Sequence, residues 1–134
     1  MAVDDEYIEE PCWPTVNRAA LVLKLKKPFL DWLTYMSEEH DKLDHKLKAG
    51  DIETEGFDNK TVYLIPAFED NDKFDNFLKK NWESIFVEQL GGWYTDPKMW
   101  PQDLSWKLFK EWFDYEIQTM VFDTIPDEPL EHED

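Results

Sequence analysis

The chain holds one cysteine, four glycines and one arginine among its 14 basic residues. It also has no apolar run approaching the roughly 18 residues that a membrane-spanning helix needs. Each shortage excludes something. A single cysteine, Cys12, rules out an intrachain disulfide and a cysteine metal cluster, and between Pro11 and Trp13 it reads as a bystander near the N-terminus. Four glycines leave no glycine-rich phosphate loop, because Gly91-Gly92 follows an expected helix whereas a phosphate cradle precedes one. No basic start followed by an apolar stretch is present, so neither a secretory signal nor a transmembrane helix is visible, and the expectation is a cytoplasmic protein without membrane contact. Bases are outnumbered by 31 acids, for a formal net charge of -17. Nucleic-acid binding needs a basic footprint to displace counterions from phosphates, so direct nucleic-acid binding is excluded and a charged partner is expected to be basic.

What is present is a chain of 134 residues with 16% aromatics, enough for one domain with a real core. Its charge is unevenly spread. Residues 1 to 16 carry -5 and residues 123 to 134 carry -6, while residues 51 to 75 hold eight acids against Lys60 and Lys73. The remainder is balanced. Residues 1 to 16 and 126 to 134 pair acid with proline and lack periodic apolar content, which predicts mobile acidic tails around a domain at 17 to 125.

Within that domain, "AALVLKLK" at 19 to 26 alternates Leu21, Leu23 and Leu25 with Val22 and Lys24, the period of a half-buried strand. Pro28 suits the first turn of a short amphipathic helix whose stripe is Phe29, Leu33 and Met36. Residues 37 to 50 predict a second, mostly exposed helix, with Ser37 as cap and Gly50 as stop. "TVYLIPAF" at 61 to 68 is nearly all apolar, which predicts a strand covered on both faces and ending at Pro66. The strongest helix runs from Asp72 to Leu90 on a stripe of Phe74, Phe77, Leu78, Trp82, Ile85, Phe86 and Leu90, with Gly91 as a left-handed cap. A further helix is expected from Asp103 to Phe113, then a third strand at 116 to 125. The fold class is therefore α+β, a three- or four-stranded sheet with helices packed on it, in the order β-α-(α)-β-α-α-β. Residues 51 to 57 are the candidate fourth strand, and a crossover between the first two strands would be right-handed if they ran parallel.

Candidate chemistry is sparse. His40, Asp41, Asp44 and His45 are potential metal ligands, but residues five apart on a helix diverge, so the two histidines do not converge and no metal is expected. Ser37, Ser84 and Ser105 lack a nucleophile elbow, and paired carboxylates follow from sheer abundance. No catalytic residue and no cofactor is assigned. Arg18 offers the one guanidinium fork able to clamp a carboxylate, against the plainer reading of a structural ion pair.

The strongest signal is "EQLGGWYTDPKMWP" at 88 to 101, tryptophans and a tyrosine set between glycine and proline. Asp96-Pro97 predicts a capped helical turn that presses Met99 or Trp100 inward as a core plug. Trp93 and Tyr94, just past the glycines, are the candidate partner contacts, with Glu69, Asp70 and Asp72 steering a basic protein toward them. Together with "NRAALVLKLKKPFLDWL", "VYLIP" and the later "EWF", this stretch resembles a family of short, acidic, uncharacterised bacterial proteins with no assigned activity. The resemblance covers about residues 17 to 125 and implies a bacterial cytoplasmic origin but no mechanism. The functional expectation is a non-enzymatic binding or regulatory protein whose partner is a protein with a basic surface. The alternatives are an acidic mimic or inhibitor of a nucleic-acid-binding protein, and an enzyme whose site assembles only in three dimensions.

Overall fold

The computed structural model describes residues 13 to 40 and 59 to 133. It is an α+β fold in which β1 (Arg18–Leu25) leads into α1 (Lys27–His40), β2 (Lys60–Pro66), α2 (Asn71–Gly91), a 3-10 turn (Pro97–Met99), α3 (Trp106–Trp112) and β3 (Phe113–Gln118). The sheet order is β2-β1-β3 with both pairings antiparallel. The condition for a right-handed crossover is therefore not met. The candidate metal ligands Asp41, Asp44 and His45, most of the second helix at 37 to 50 and the fourth strand at 51 to 57 lie outside the described residues.

β1 forms the centre because its alternation suits a strand paired on both sides. Leu25 N–H donates to Asn59 O across 3.0 Å and Lys26 N–H donates to Trp112 O across 2.8 Å. Hydrogen-bonded pairs alternate along an antiparallel ladder, so odd-numbered residues of β1 bond to β2 and even-numbered residues bond to β3. By the same alternation Thr61, Tyr63 and Ile65 of β2 turn their backbone groups toward β1, and Val62 and Leu64 turn theirs to the outer edge.

The three described helices all pack on one face. Ala19, Leu21, Leu23 and Leu25 point into this layer together with Ile65 and Phe113, and are buried there. They meet Phe29, Trp32 and Leu33 of α1, Phe74, Leu78, Ile85, Phe86 and Leu90 of α2, and Phe109 of α3. At the centre Phe86 meets Phe113 edge-on with centroids 5.1 Å apart, and Phe109 lies 4.9 Å from Phe113. Such pairs add roughly 0.5 to 1.5 kcal/mol each beyond the area they bury.

Five expectations are corrected. β2 is covered on one face only: Val62 is 61% and Leu64 50% exposed, because the helices crowd the opposite face. Ser37 does not cap a new helix; α1 continues through it, and it is buried on the same stripe as Leu33, four residues earlier. α2 ends without a left-handed residue, since Gly92 keeps helical angles (φ -68°, ψ -21°) while Trp93 and Tyr94 both donate to Leu90 O. α3 begins at Trp106 rather than Asp103, where the Ser105 hydroxyl accepts from Leu108 N–H across 3.0 Å. The third strand begins at Phe113 and ends at Gln118, because Phe113, Tyr115 and Ile117 supply the inward row that pairs with β1.

The chain meets itself once more beyond the sheet. Thr15 bridges Phe122, Val16 N–H donates to Val121 O (2.9 Å), and Asp123 N–H donates to Pro14 O (2.8 Å). Residues 13 to 16, placed by sequence in the N-terminal tail, are thus joined to 121 to 123.

Candidate functional site

The aromatic loop is bound down. Asp96 caps the 3-10 turn by accepting from Lys98 N–H (3.0 Å), and the Trp100 indole donates to Tyr94 O (2.7 Å). The Trp100 ring also lies 3.7 Å from where a side chain at Gly91 would begin. From α1, the Trp32 indole donates to Met99 O across 3.0 Å, and its ring stands edge-on to Tyr94 with centroids 5.8 Å apart. Tyr94 and Trp100 are half-buried against the core, whereas Trp93 is 41% exposed.

The sequence-derived contact residues are not brought together. Glu69 and Asp70 precede α2, and Asp72 lies in its first turn, all three exposed; Trp93 and Tyr94 follow its last turn. Most of a 21-residue helix separates the two groups, about 30 Å at 1.5 Å per residue. Asp70 stands at the N-cap with no side-chain hydrogen bond to the helix. Arg18 donates to Asn17 O (3.0 Å) and Asn17 Oδ1 (2.9 Å) at the exposed start of β1, not to a carboxylate.

Two surfaces that the sequence did not point to are more suggestive. The first is the outer face of the sheet. Its rows, read from the register, are Leu64-Ala20-Gln118, Val62-Val22-Glu116 and Lys60-Lys24-Asp114, so one end is apolar and the other charged. The apolar end continues past the sheet: Leu64 lines a hollow of about 230 Å³ with Val16, Val121, Phe122 and Leu130. Phe122 is 52% exposed and Leu130 74%. Asp123, Asp127, Glu128, Glu131 and Glu133 lie along the same C-terminal segment, giving the apolar patch an acidic neighbourhood.

The second is a groove of about 200 Å³ between β2 and α2. Its apolar floor includes Tyr63, Ile65, Phe77 and Ile85; Asn81, Ser84 and Glu88 line its helical side. β2 and α2 run in opposite directions here. Gln89 donates to Thr61 Oγ1 (3.3 Å) and to the Tyr63 hydroxyl (2.9 Å) at one end, while Phe68, just past β2, stacks edge-on against Phe74 at the other. The acids at 69, 70 and 72 therefore sit at one mouth of this groove, and Glu88 near the opposite end.

Burial raises the Tyr63 pKa above its usual 10.0, the Gln89 hydrogen bond working against this and the charge of Glu88 adding to it. Tyr115 is also raised, by burial and then by Asp75. Both shifts keep the phenols protonated, the opposite of an activated base or nucleophile. Among the described residues no group of three or more His, Cys, Asp or Glu could hold a metal ion, and no helix is long and apolar enough to cross a membrane.

Comparison with known proteins finds no matching family model, no matching curated protein and no matching solved structure.

Proposed function

We propose that the chain is a non-enzymatic binding or regulatory protein that contacts a protein partner with a basic surface. The observation that carries this reading is the outer face of the sheet, on which no described helix packs and where Val62 and Leu64 are exposed. Val62 and Leu64 hold apolar area in water beside Phe122 and Leu130 on a chain of net charge -17. Contiguous exposed apolar area on a soluble domain marks an interaction site. The surrounding charge favours a basic partner and repels a second copy. Trp93, at the far end of α2, is a separate aromatic contact rather than part of this patch. Membership of the short acidic bacterial family, and a cytoplasmic setting, belong to the same proposal.

Neither alternative gains an observation of its own. A nucleic-acid mimic calls for regular rows of acids, yet Lys73, Lys79 and Lys80 interrupt them on α2. An enzyme calls for convergent polar groups with ionisation tuned for proton transfer. The test is affinity capture from host extract across a salt series, with wild type, Leu64→Asp and Trp93→Ala as baits. A basic partner should be retained at low salt, weaken as salt rises, and be lost with Leu64→Asp. Equal capture by Leu64→Asp, or binding indifferent to salt, would refute this surface.

A further inference from the structure

We propose that the open edge of β2, with the groove between β2 and α2, accepts an extended segment of the partner as an added strand, apolar at its centre and basic at its ends. This deepens the reading just given and rests on it for the partner's charge, but it concerns a different contact, made by the backbone. The ladder requires Val62 and Leu64 to aim their N–H and C=O groups away from β1. No strand lies beyond them among the described residues. An edge in that state is a template for another chain. Strand addition takes its affinity from the main chain and its specificity from pockets for alternate side chains.

Both requirements are met at the same place. Residues of an incoming strand opposite Val62 and Leu64 would exchange main-chain hydrogen bonds with them and turn their side chains to the outer face. Residues opposite Thr61, Tyr63 and Ile65 would turn theirs inward, into the cleft floored by Tyr63, Ile65, Phe77 and Ile85. The inward positions should therefore be apolar. One end of the segment would meet Glu69, Asp70 and Asp72, and the other would lie between Glu88 on the helix and Lys60 of β2, so the flanks should carry lysine or arginine, with the stronger attraction at the end that meets residues 69 to 72. The extent of the edge is limited by Pro66, which has no N–H and whose carbonyl already accepts from Phe68 N–H. That leaves a short strand whose outward residues are Lys60, Val62 and Leu64, the last two forming its apolar part.

The probe is the capped peptide Lys-Lys-Val-Thr-Ile-Thr-Val-Lys-Lys, titrated into the full chain at about 0.15 M salt, where the Debye length is about 8 Å and distant charge is screened. Its control is the same peptide N-methylated at both threonines, the residues placed opposite Val62 and Leu64. Charge and side chains are nearly unchanged, but the two donors are gone. The parent peptide should bind at least about tenfold tighter than the methylated one. It should also slow amide exchange at Val62 and Leu64, which are expected to exchange quickly in the free protein. Leu64→Pro removes one outward donor at a position where an edge strand tolerates proline, and Ser84→Arg fills the groove from an exposed helix position. Each should weaken binding about tenfold while the melting temperature reports that the fold persists.

Equal binding by the methylated peptide would overturn the added strand and leave only charge attraction. Protected Val62 and Leu64 amides in the dilute free protein would overturn it by showing that the chain's own residues cover the edge. A dimer that Leu64→Pro dissociates would overturn it in favour of a second copy. Capture of a basic partner in a Leu64→Asp-sensitive manner, with no peptide binding, would remove the strand and spare the binding role.

Discussion

Replacing Trp32 tests whether the loop at 92 to 105 is held as part of the core. The ring is 9% exposed, meets Phe29 edge-on with centroids 5.2 Å apart, and sends its indole N–H to Met99 O. Trp32→Ala removes the ring and leaves a cavity, a loss of about 3 to 5 kcal/mol. Trp32→Phe keeps much of the apolar contact but strands the part-buried Met99 carbonyl, which costs about 1 to 3 kcal/mol. For a domain of this size each kcal/mol moves the melting temperature by about 3 to 5 °C. Calorimetry should therefore rank wild type above Trp32→Phe and that above Trp32→Ala. Native-state hydrogen exchange supplies the local readout. Lys98, Met99 and Trp100 N–H donate to Asp96 Oδ1, Asp96 O and Pro97 O, and in Trp32→Phe these three amides should exchange faster while those of β1 keep their protection relative to global stability. A phenylalanine variant as stable as wild type, or one that melts earlier with loop exchange unchanged, would refute the anchoring argument.

Trp100→Ala should cost about 3 kcal/mol by thermal melt, because the ring packs on Gly91 and holds Tyr94 O; Trp93→Ala should cost less than about 1 kcal/mol, and equal losses would make both residues core. Tyr63 has a folded-state pKa above its unfolded value, so its contribution is intact below about pH 10 and lost as pH rises through the folded pKa. Denaturation between about pH 9 and 12 should show Tyr63→Phe losing less stability than wild type, and parallel profiles would contradict this. Ser105→Ala should destabilise the protein by about 1 kcal/mol in urea, since the hydroxyl caps a helix of only seven residues.

Much of the inner layer was legible in the sequence, because burial there follows the period of each element. All five residues of α2 that are buried belong to its predicted stripe, and the alternate leucines of β1 point inward as expected. What failed depended on information not carried locally. In "TVYLIP" both alternating rows favour strand, so nothing in the segment says that helices cover Thr61, Tyr63 and Ile65 and leave Val62 and Leu64 bare. Phe113 continues the helical apolar pattern of Phe109 and Trp112, yet α3 and β3 abut without a loop, and pairing with Leu25 makes it a strand residue. The proposed contact residues fall at the two ends of one helix, so its length holds Glu69, Asp70 and Asp72 away from Trp93 and Tyr94. Asp96-Pro97 and Trp100 were readable because a capped turn is a local matter.

The position of β1 also shapes the order in which the molecule can be made. Its first partner, β2, emerges from the ribosome early, but the other edge of this leucine-rich strand must wait for Phe113 to Gln118. Vectorial synthesis therefore passes through a stage in which a two-stranded, apolar ribbon has one side open and lacks the Phe109 and Phe113 rings of its core. Pairings so distant along the chain slow the search for the native state, and open strand edges promote aggregation while it lasts. Nascent chains stalled before Phe113 should accordingly remain sensitive to protease, and chains extended past Gln118 beyond the exit tunnel should become resistant in one step.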